Sequence, residues 1–275
     1  MRWGSLLPTF VLSISMFVDS HCHLDAAQFD TDRDAVAARA WAAGVEAIVV
    51  PAVELANFSA VEDTCRRYRG CAPAWGIHPL YIDRAKDQDL ASVRAQLKMH
   101  PPVAVGEIGL DFFVPDLDYV RQELFFVEQL KIAREFGLPV LLHIRRAQDT
   151  ILKHLRRVGV CGGIAHAFNG SRQQADEFIK LGFKLGFGGA MTFTRAKRIR
   201  ELAATLPLDA IVLETDAPDI PPAFLQGGRN SPEYLPQIAG TLAELRGIGV
   251  EDVARTTTAG VGRALPAVAD FLRQG

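Results

Sequence analysis

Short apolar runs recur along the chain, and a longer segment of mixed apolar and polar residues follows each of them. Residues 46–50 read EAIVV and residues 138–142 read LPVLL. Continuous apolar runs of this length are typical of strands buried on both faces. We therefore predict eight strands, the first ending in the stretch 17–23 and the others at 46–50, 72–77, 103–108, 139–144, 163–167, 183–187 and 210–214.

Helices are predicted between these strands. Residues 31–43 are rich in alanine, begin at a possible cap, Thr31, and stop at Gly44. Similar patterns predict helices at 31–43, 55–69, 88–99, 118–136, 148–158, 172–181 and 195–205, and closing helices at 232–246, 251–259 and 263–273. Alternating strands and helices indicate βαβ units with a parallel sheet.

Eight such units in 275 residues fit one closed barrel. The predicted fold class is α/β, a single-domain (β/α)8 TIM barrel over residues 16–275. The alternative is an open doubly wound sheet, but no G-x-G-x-x-G motif follows the first strand.

The first 15 residues superficially resemble a signal sequence. They lack a small-x-small cleavage site before the polar stretch that starts at Asp19. We expect residues 1–15 to be an extension upstream of a natural start at Met16, the alternative being a membrane-seeking N-terminus. No other segment is long and apolar enough to span a bilayer, so no membrane partner is expected.

Composition narrows the class of protein only modestly. The chain is 49% hydrophobic and 23% charged, as in ordinary globular proteins, and its net charge of -2 provides no global attraction for nucleic acid. Affinity for phosphates would need a local basic cluster. The four cysteines are irregularly spaced and include no C-x-x-C pair, which argues against a disulfide framework and a thiolate zinc site. We expect a cytoplasmic protein.

Polar side chains follow the predicted strands where each one ends. His21 and His23 are two residues apart, so in an extended chain they point to the same side. The carboxyl ends of barrel strands meet at one mouth, which carries the active site in such folds. The other candidates end strands three, four, five, six and eight, respectively His78, Glu107, His143, His166 and Asp216.

Buried imidazoles and carboxylates that converge in this way need a cation among them. Nitrogen and oxygen ligands without thiolates suit Zn, Mn, Co, Ni or, with more water, Mg. There are enough ligands for two divalent metal ions. The simplest arrangement places one ion on His21, His23 and Asp216 and another on His143 and His166, with Glu107 as the bridge. Asp216 is the candidate general base.

Substrate contacts are predicted at the same mouth. His78, Arg145 and Arg229 are the candidates, because an arginine can hold a phosphate by forked hydrogen bonds. The alternatives are a structural loop histidine and ordinary surface charge. Asp19 has two possible roles, orienting a ligand or bonding local backbone N–H groups. Other basic and aromatic residues near the mouth are Arg146, Arg172, Arg195, Phe112, Phe113, Phe168 and Phe193, and Glu214 and Asp111 are possible neighbours of the ligands.

The motifs resemble those of the TatD family of metal-dependent hydrolases, in the amidohydrolase-like group of barrels. The matching segments are FVDSHCHLD at 17–25, WGIHP at 75–79, VGEIGLDF at 105–112, LPVLLHIRRA at 138–147, AHAFNGS at 165–171 and LETDAP at 213–218. The sequence of residues 138–237 is most similar to the sequences of the YjjV-like branch of the family. The resemblance implies one metal at His21, His23, Glu107 and Asp216, a second at Glu107, His143 and His166, and substrate near His78.

The resemblance also implies an activity. We expect a deoxyribonuclease that cleaves DNA phosphodiester bonds, as a 3'-to-5' exonuclease on single strands or ends. The alternatives are an ester hydrolase such as a D-aminoacyl-tRNA deacylase, a small-phosphoester hydrolase and a metal-binding barrel without turnover. A monomer is expected. Residues 219–222, DIPP, differ from the residues usual in the family at this loop. The resemblance therefore predicts the metal ligands more firmly than the substrate.

Overall fold

The structure, a computed structural model, describes residues 16–273, so the predicted extension at 1–15 lies outside the described residues. Its strands are Phe17–Asp19 (β1), Val45–Pro51 (β2), Cys71–Trp75 (β3), Ala104–Asp111 (β4), Val140–Arg145 (β5), Gly163–Ala165 (β6), Phe183–Phe187 (β7) and Ile211–Leu213 (β8). Its helices are Arg33–Ala42 (α1), Phe58–Arg67 (α2), Asp89–Met99 (α3), Tyr119–Phe136 (α4), Gln148–Val158 (α5), Arg172–Lys180 (α6), Lys197–Thr205 (α7), Leu235–Arg246 (α8), Val250–Ala264 (α9) and Val268–Arg273 (α10).

All eight strands run parallel, and each pairs with the next along the chain from β1 to β8. A helix follows each strand, which gives a nearly closed (β/α)8 barrel and confirms the predicted fold. Strand residues such as Val49, Ile108 and Leu142 are completely buried, as the continuous apolar runs predicted. Within residues 16–273, no helix combines the length and the apolar character needed to cross a membrane.

The seam between β1 and β8 is joined just beyond the ends of the two strands. Ser20 N donates to Leu213 O at 3.0 Å, Asp216 N donates to His21 O at 2.8 Å, and His23 N donates to Ala217 O at 2.8 Å. Two of these three backbone bonds therefore involve a candidate ligand, His21, His23 or Asp216. Barrel closure and placement of the ligands depend on the same contacts.

One prediction for the closing helices at the C-terminal end of the chain is wrong. The break predicted between residues 259 and 263 does not occur, because α9 continues to Ala264. Glycine inside this helix serves packing: a Cβ added to Gly260 would lie 3.2 Å from Ile211 O, so the helix approaches β8 closely. The helix stops shortly before Pro266, whose ring disfavours helical conformation in the residue before it.

Glycine is required where β4 and β5 approach each other beside the barrel mouth. A Cβ added to Gly109 would lie 1.9 Å from His143 O, far inside contact distance. Backbone atoms of β5 would have to move to admit any side chain there. The pairing that positions His143 therefore depends on this glycine.

We predict that Gly109→Ala lowers the free energy of unfolding by about 3 kcal/mol or more, since the added methyl group must displace backbone rather than a flexible side chain. Urea denaturation followed by circular dichroism measures the change.

Gly137→Ala is the matched control. Gly137 also has a positive φ, 64°, but a Cβ there would meet nothing within 4 Å. The expected loss is only the cost of the left-handed conformation, about 1–2 kcal/mol. Equal losses for the two variants would contradict the close approach of β4 and β5.

Candidate metal centre

His21 and His23 point to the same place, where they meet the buried carboxylate of Glu107. His21 Nε2 lies 3.3 Å from His23 Nε2 and 3.2 Å from Glu107 Oε2. Asp216 completes the group, with Oδ1 3.6 Å from His21 Nε2 and 3.7 Å from His23 Nε2. Two nitrogen and two oxygen atoms from the ends of β1, β4 and β8 therefore converge on one point of the barrel mouth.

The spacing of these four atoms fits a divalent metal ion. Ligands placed about 2.0–2.2 Å from a tetrahedral ion lie roughly 3.3–3.6 Å from one another. The distances measured among the four atoms run from 3.2 Å to 3.7 Å. Imidazole and carboxylate without thiolate is a donor set suited to zinc, manganese or cobalt. These residues fit the metal that the sequence predicts.

The second oxygen of Glu107 faces a different pair of imidazoles. Glu107 Oε1 lies 3.0 Å from His143 Nδ1 and 3.5 Å from His78 Nε2. The rings of His78 and His143 meet edge to face, with centroids 4.2 Å apart. One carboxylate thus has each of its oxygens among a separate set of nitrogen atoms, which is the geometry of a bridging ligand.

His166 approaches the centre from β6. Its ring stacks on that of His21 with centroids 3.7 Å apart, and its Nε2 lies 3.6 Å from Asp216 Oδ2. The Nδ1 atom on the other side of the ring lies 3.0 Å from Glu214 Oε1. His166 therefore joins His21 and Glu107 in one potential ligand group, while His143 groups with His78 and Glu107. The sequence analysis placed His143 and His166 on one ion; these groups do not include that pair, and the pairing stays a prediction.

Electrostatics separate the buried groups into basic and acidic members. Although burial raises it, the pKa of Glu107 is held well below its usual range by the imidazoles of His78 and His21. Burial lowers the pKa of His78 to about 4. Burial acts in the same direction on His166, but the carboxylates of Glu214 and Asp216 prevail and raise the pKa of His166 to about 10. The pKa of His143 is also raised, because Asp111 and Glu107 outweigh the effect of burial. His166 and His143 are therefore the more basic members of the cluster.

The pKa of Asp216 is raised, whereas that of Glu107 is lowered. Burial raises the pKa of Asp216 to about 6, against the opposing effect of His166. Its backbone has a φ of 57°, in the left-handed region, and Ala167, directly after His166, has a φ of 43°. Such conformations cost free energy and often mark functional sites. Both occur where a strand end turns a candidate ligand inward.

Two carboxylates support the cluster from behind. Asp111 Oδ2 lies 3.1 Å from His143 Nε2, so Asp111 and Glu107 hold the His143 ring between them. Asp19 accepts from the backbone N–H of His21 at 3.2 Å and from that of Thr215 at 3.0 Å. Of the two roles considered for Asp19, the structure shows the bonding of backbone N–H groups, here across the seam.

The two predicted substrate arginines have different surroundings. Arg145 lies at the mouth, with Nη1 3.9 Å from Asp111 Oδ2 and its guanidinium 3.7 Å from the centre of the Phe113 ring. Arg229 forms a two-pronged pair with Asp32, with Nη2 2.6 Å from Oδ2 and Nη1 2.9 Å from Oδ1. Arg145 is thus next to the candidate metal cluster, whereas the guanidinium of Arg229 is already paired with Asp32.

Sequence reasoning missed Asn230. Its buried amide donates to Thr215 O at 2.7 Å, to Asp219 O at 2.8 Å and to Ile220 O at 3.3 Å. These bonds fix the loop that follows Asp216. The available signal was a single asparagine in a loop rich in glycine and proline, where the amide often bonds to loop carbonyls.

A family comparison agrees with this geometry. The family model described as TatD related DNase matches residues 18–265. The chain belongs to this family. It is a metal-dependent hydrolase, and the resemblance drawn from its motifs is confirmed.

Several TatD relatives match nearly the whole chain. The chain is 42% identical over 245 residues to the uncharacterized metal-dependent hydrolase YjjV of Escherichia coli strain K12, covering 88% of this chain and 95% of YjjV. The crystal structure of the TatD homologue YjjV from E. coli superposes with a TM-score of 0.88 at 40% identity, covering 92% of this chain and 99% of that one. The 3'-5' ssDNA/RNA exonuclease TatD of Cronobacter sakazakii is 35% identical over 252 residues, 89% of this chain and 96% of that protein.

We predict that this TatD-family protein releases at least one proton at pH 7 when Mn²⁺ binds, because His166 carries a proton there and only neutral imidazole can bind a metal. The apparent affinity should accordingly rise as the pH rises. Calorimetric titration in two buffers of different ionisation enthalpy counts the protons.

His166→Asn should lower the number of protons released by about one. The control is His154→Asn, which alters a buried histidine whose Nε2 lies 2.6 Å from Glu123 Oε1, away from the cluster; its proton release should match that of the unmodified protein. Metal binding without proton release in the unmodified protein would contradict the protonation state given to His166.

Proposed function

We propose that the protein is a two-metal phosphodiesterase that cleaves single-stranded DNA or DNA ends, in the 3'-to-5' direction. The observation that carries the proposal is the shared position of Glu107, whose two oxygens face separate groups of imidazoles at 3.2 Å and 3.0 Å. His21, His23, Glu107 and Asp216 would hold one ion, and Glu107, His143 and His166 the other. Such ions lower the pKa of a water molecule and stabilise both oxygens of a phosphoester displacement.

Asp216 is suited to accept the proton of the attacking water. A general base works best when its pKa is close to the working pH yet leaves it ionised. The pKa of Asp216 is about 6, and a neighbouring cation would lower it, so its carboxylate is ionised near neutrality. Glu107 has a much lower pKa and serves as a permanent anion between the two groups of ligands.

Hydrogen-bond donors beside the centre would receive the phosphate. His78 is buried next to Glu107, and Arg145 keeps about half of its side chain exposed at the mouth. A guanidinium in this position can hold a phosphate oxygen by a charge-assisted hydrogen bond. We retain Arg229 as a weaker candidate, because it would have to leave Asp32 to contact a substrate.

The depth of the centre favours strand ends over the middle of a duplex. Glu107 and His21 are almost completely buried, so a phosphodiester must enter the barrel mouth to reach them. A flexible single strand can do so without the energy needed to unstack and unpair a duplex. The name of the Cronobacter TatD relative, a single-strand exonuclease, supports the same substrate.

We predict that Asp216→Asn lowers kcat on a 5'-labelled single-stranded oligonucleotide by about 10²–10⁴-fold, the usual contribution of a general base. Mn²⁺, Mg²⁺ and Zn²⁺ are supplied in separate reactions, and shortening from the 3' end is followed on a gel. Circular dichroism verifies that the variant is folded.

Asp219→Asn, in the same loop but with an exposed side chain, is the control and should retain full activity. Parallel reactions with D-aminoacyl-tRNA and a small phosphoester test the alternative ester substrates. Hydrolysis of one of these together with intact DNA would reject the nuclease proposal, and near-normal rates for Asp216→Asn would remove Asp216 from the mechanism.

A further inference from the structure

A groove of about 660 Å³ opens at the barrel mouth beside the metal centre. The loops after β6, β7 and β8 form it, together with the start of α7. Its lining combines half-buried apolar side chains with exposed basic ones. The residues that matter here are Phe193, Arg195, Lys197, Arg198, Ile220 and Pro221.

The groove adjoins a smaller cavity on the Asp216 side of the candidate centre. A smaller cavity beside it is lined by Glu214 and Asp216, and the two cavities share Ala190, Ile199 and Ile220 as walls. The groove therefore lies next to the cavity that Asp216 lines.

Three cations on the rim have no acidic partner. Among the residues that the structure describes, no carboxylate forms an ion pair with Arg195, Lys197 or Arg198. The contact of Arg198 is with a neutral amide, the Asn169 Oδ1 atom at 2.6 Å from Nη2. By contrast, Arg172 and Arg229 are both neutralised by aspartates. The groove therefore carries an uncompensated positive charge.

The start of α7 adds to this charge. Lys197 and Arg198 occupy its first turn, which contains no acidic residue and has no side-chain cap. Cations near a helix N-terminus are unfavourable for stability, because they face the positive end of the helix dipole. An anion bound in the groove would offset both sources of positive charge.

Aromatic and apolar surface lies next to these cations. The guanidinium of Arg195 is 5.2 Å from the centre of the half-buried Phe193 ring. Ile220 and Pro221 supply further apolar surface. An aromatic ring beside basic groups is the combination used to bind single strands, since bases stack on the ring while cations follow the phosphates.

The wall formed by Ile220 is held rigidly. Ile220 has a φ of 43°, which is unusual for a β-branched residue, and Asn230 bonds to its carbonyl. A Cβ added to Gly189 would lie 2.2 Å from Ile220 O, so the loop packs tightly against the turn that follows β7. Residues 219–222 are also where the sequence differs from the residues usual in the family.

We propose that this groove binds the nucleotides of a single strand that adjoin the phosphodiester at the metal centre. Phe193 stacks a base, and Arg195, Lys197 and Arg198 contact phosphates. This inference rests on the proposed nuclease function and adds the site that selects unpaired substrate. A duplex keeps its bases stacked on each other and leaves none free for Phe193.

Binding is measured on the full-length, Mn²⁺-loaded protein, without relying on cleavage. The probe is a fluorescent oligothymidylate of about eight nucleotides with phosphorothioate linkages that resist hydrolysis. Anisotropy is recorded over a range of salt concentrations. We expect Phe193→Ala to weaken binding about tenfold with no change in salt dependence, because it removes stacking and leaves the charges.

A triple variant, Arg195→Ala, Lys197→Ala and Arg198→Ala, tests the charges. It should weaken binding and make the slope of log affinity against log salt less steep by about 2, the value for three lost phosphate contacts on a single strand. The control removes equal charge from the last turns of α2, α5 and α6, at the opposite end of the barrel, as Arg66→Ala, Arg157→Ala and Lys180→Ala. Its slope should remain close to that of the unmodified protein.

Equal losses for the two triple variants would show only a general charge effect and overturn the groove, as would a Phe193→Ala variant that binds like the unmodified protein. A duplex that competes as well as the single strand would also overturn it. A protein that binds through the groove but cuts no DNA would refute the proposed function and leave this inference standing. Cleavage of DNA by a protein whose groove variants bind normally would refute this inference alone.

Discussion

The structure depends on a carboxylate that lies almost completely buried among imidazoles. Isolated from water, a charge such as that of Glu107 is very costly unless opposite charges surround it. His21, His23, His78 and His143 all place a ring nitrogen within 3.7 Å of it. A proton on His143, whose pKa Asp111 and Glu107 raise, supplies part of the balancing charge, and divalent ions would supply it more completely. This requirement explains why so many strands end in a polar residue at one point.

The same region also joins the barrel. β1 and β8 meet through backbone hydrogen bonds from Ser20, His23 and Asp216, and Asp19 ties His21 to Thr215 across the seam. The two outermost strands of the sheet are therefore connected where the first candidate metal site lies. Local unfolding of the seam would separate His21 from Asp216, so stability of the barrel and geometry of the centre are coupled.

Sequence reasoning succeeded where a rule of the fold applied. The two-residue spacing of His21 and His23 and the convergence of strand ends were sufficient to predict that Glu107 and Asp216 join them, because those rules depend only on periodicity and topology. The grouping of His143 with His78 depends on how each strand end is rotated around the mouth. No linear spacing encodes that rotation.

Side chains that choose among several partners were harder to predict. Arg229 pairs with Asp32, almost two hundred residues away in the chain, and that choice is fixed by packing of distant segments. The groove beside Asp216 was equally hidden: Phe193 and Arg195 were recognisable as aromatic and basic residues near the mouth, but their proximity to Ile220 depends on the folding of two separate loops.

The most direct test of the account is a crystal structure of the protein grown with Mn²⁺, with the ions located by anomalous scattering. The account predicts two ions that share Glu107, one of them also bound by His21, His23 and Asp216. Ions that do not contact Glu107, or a single ion held by other residues, would contradict it.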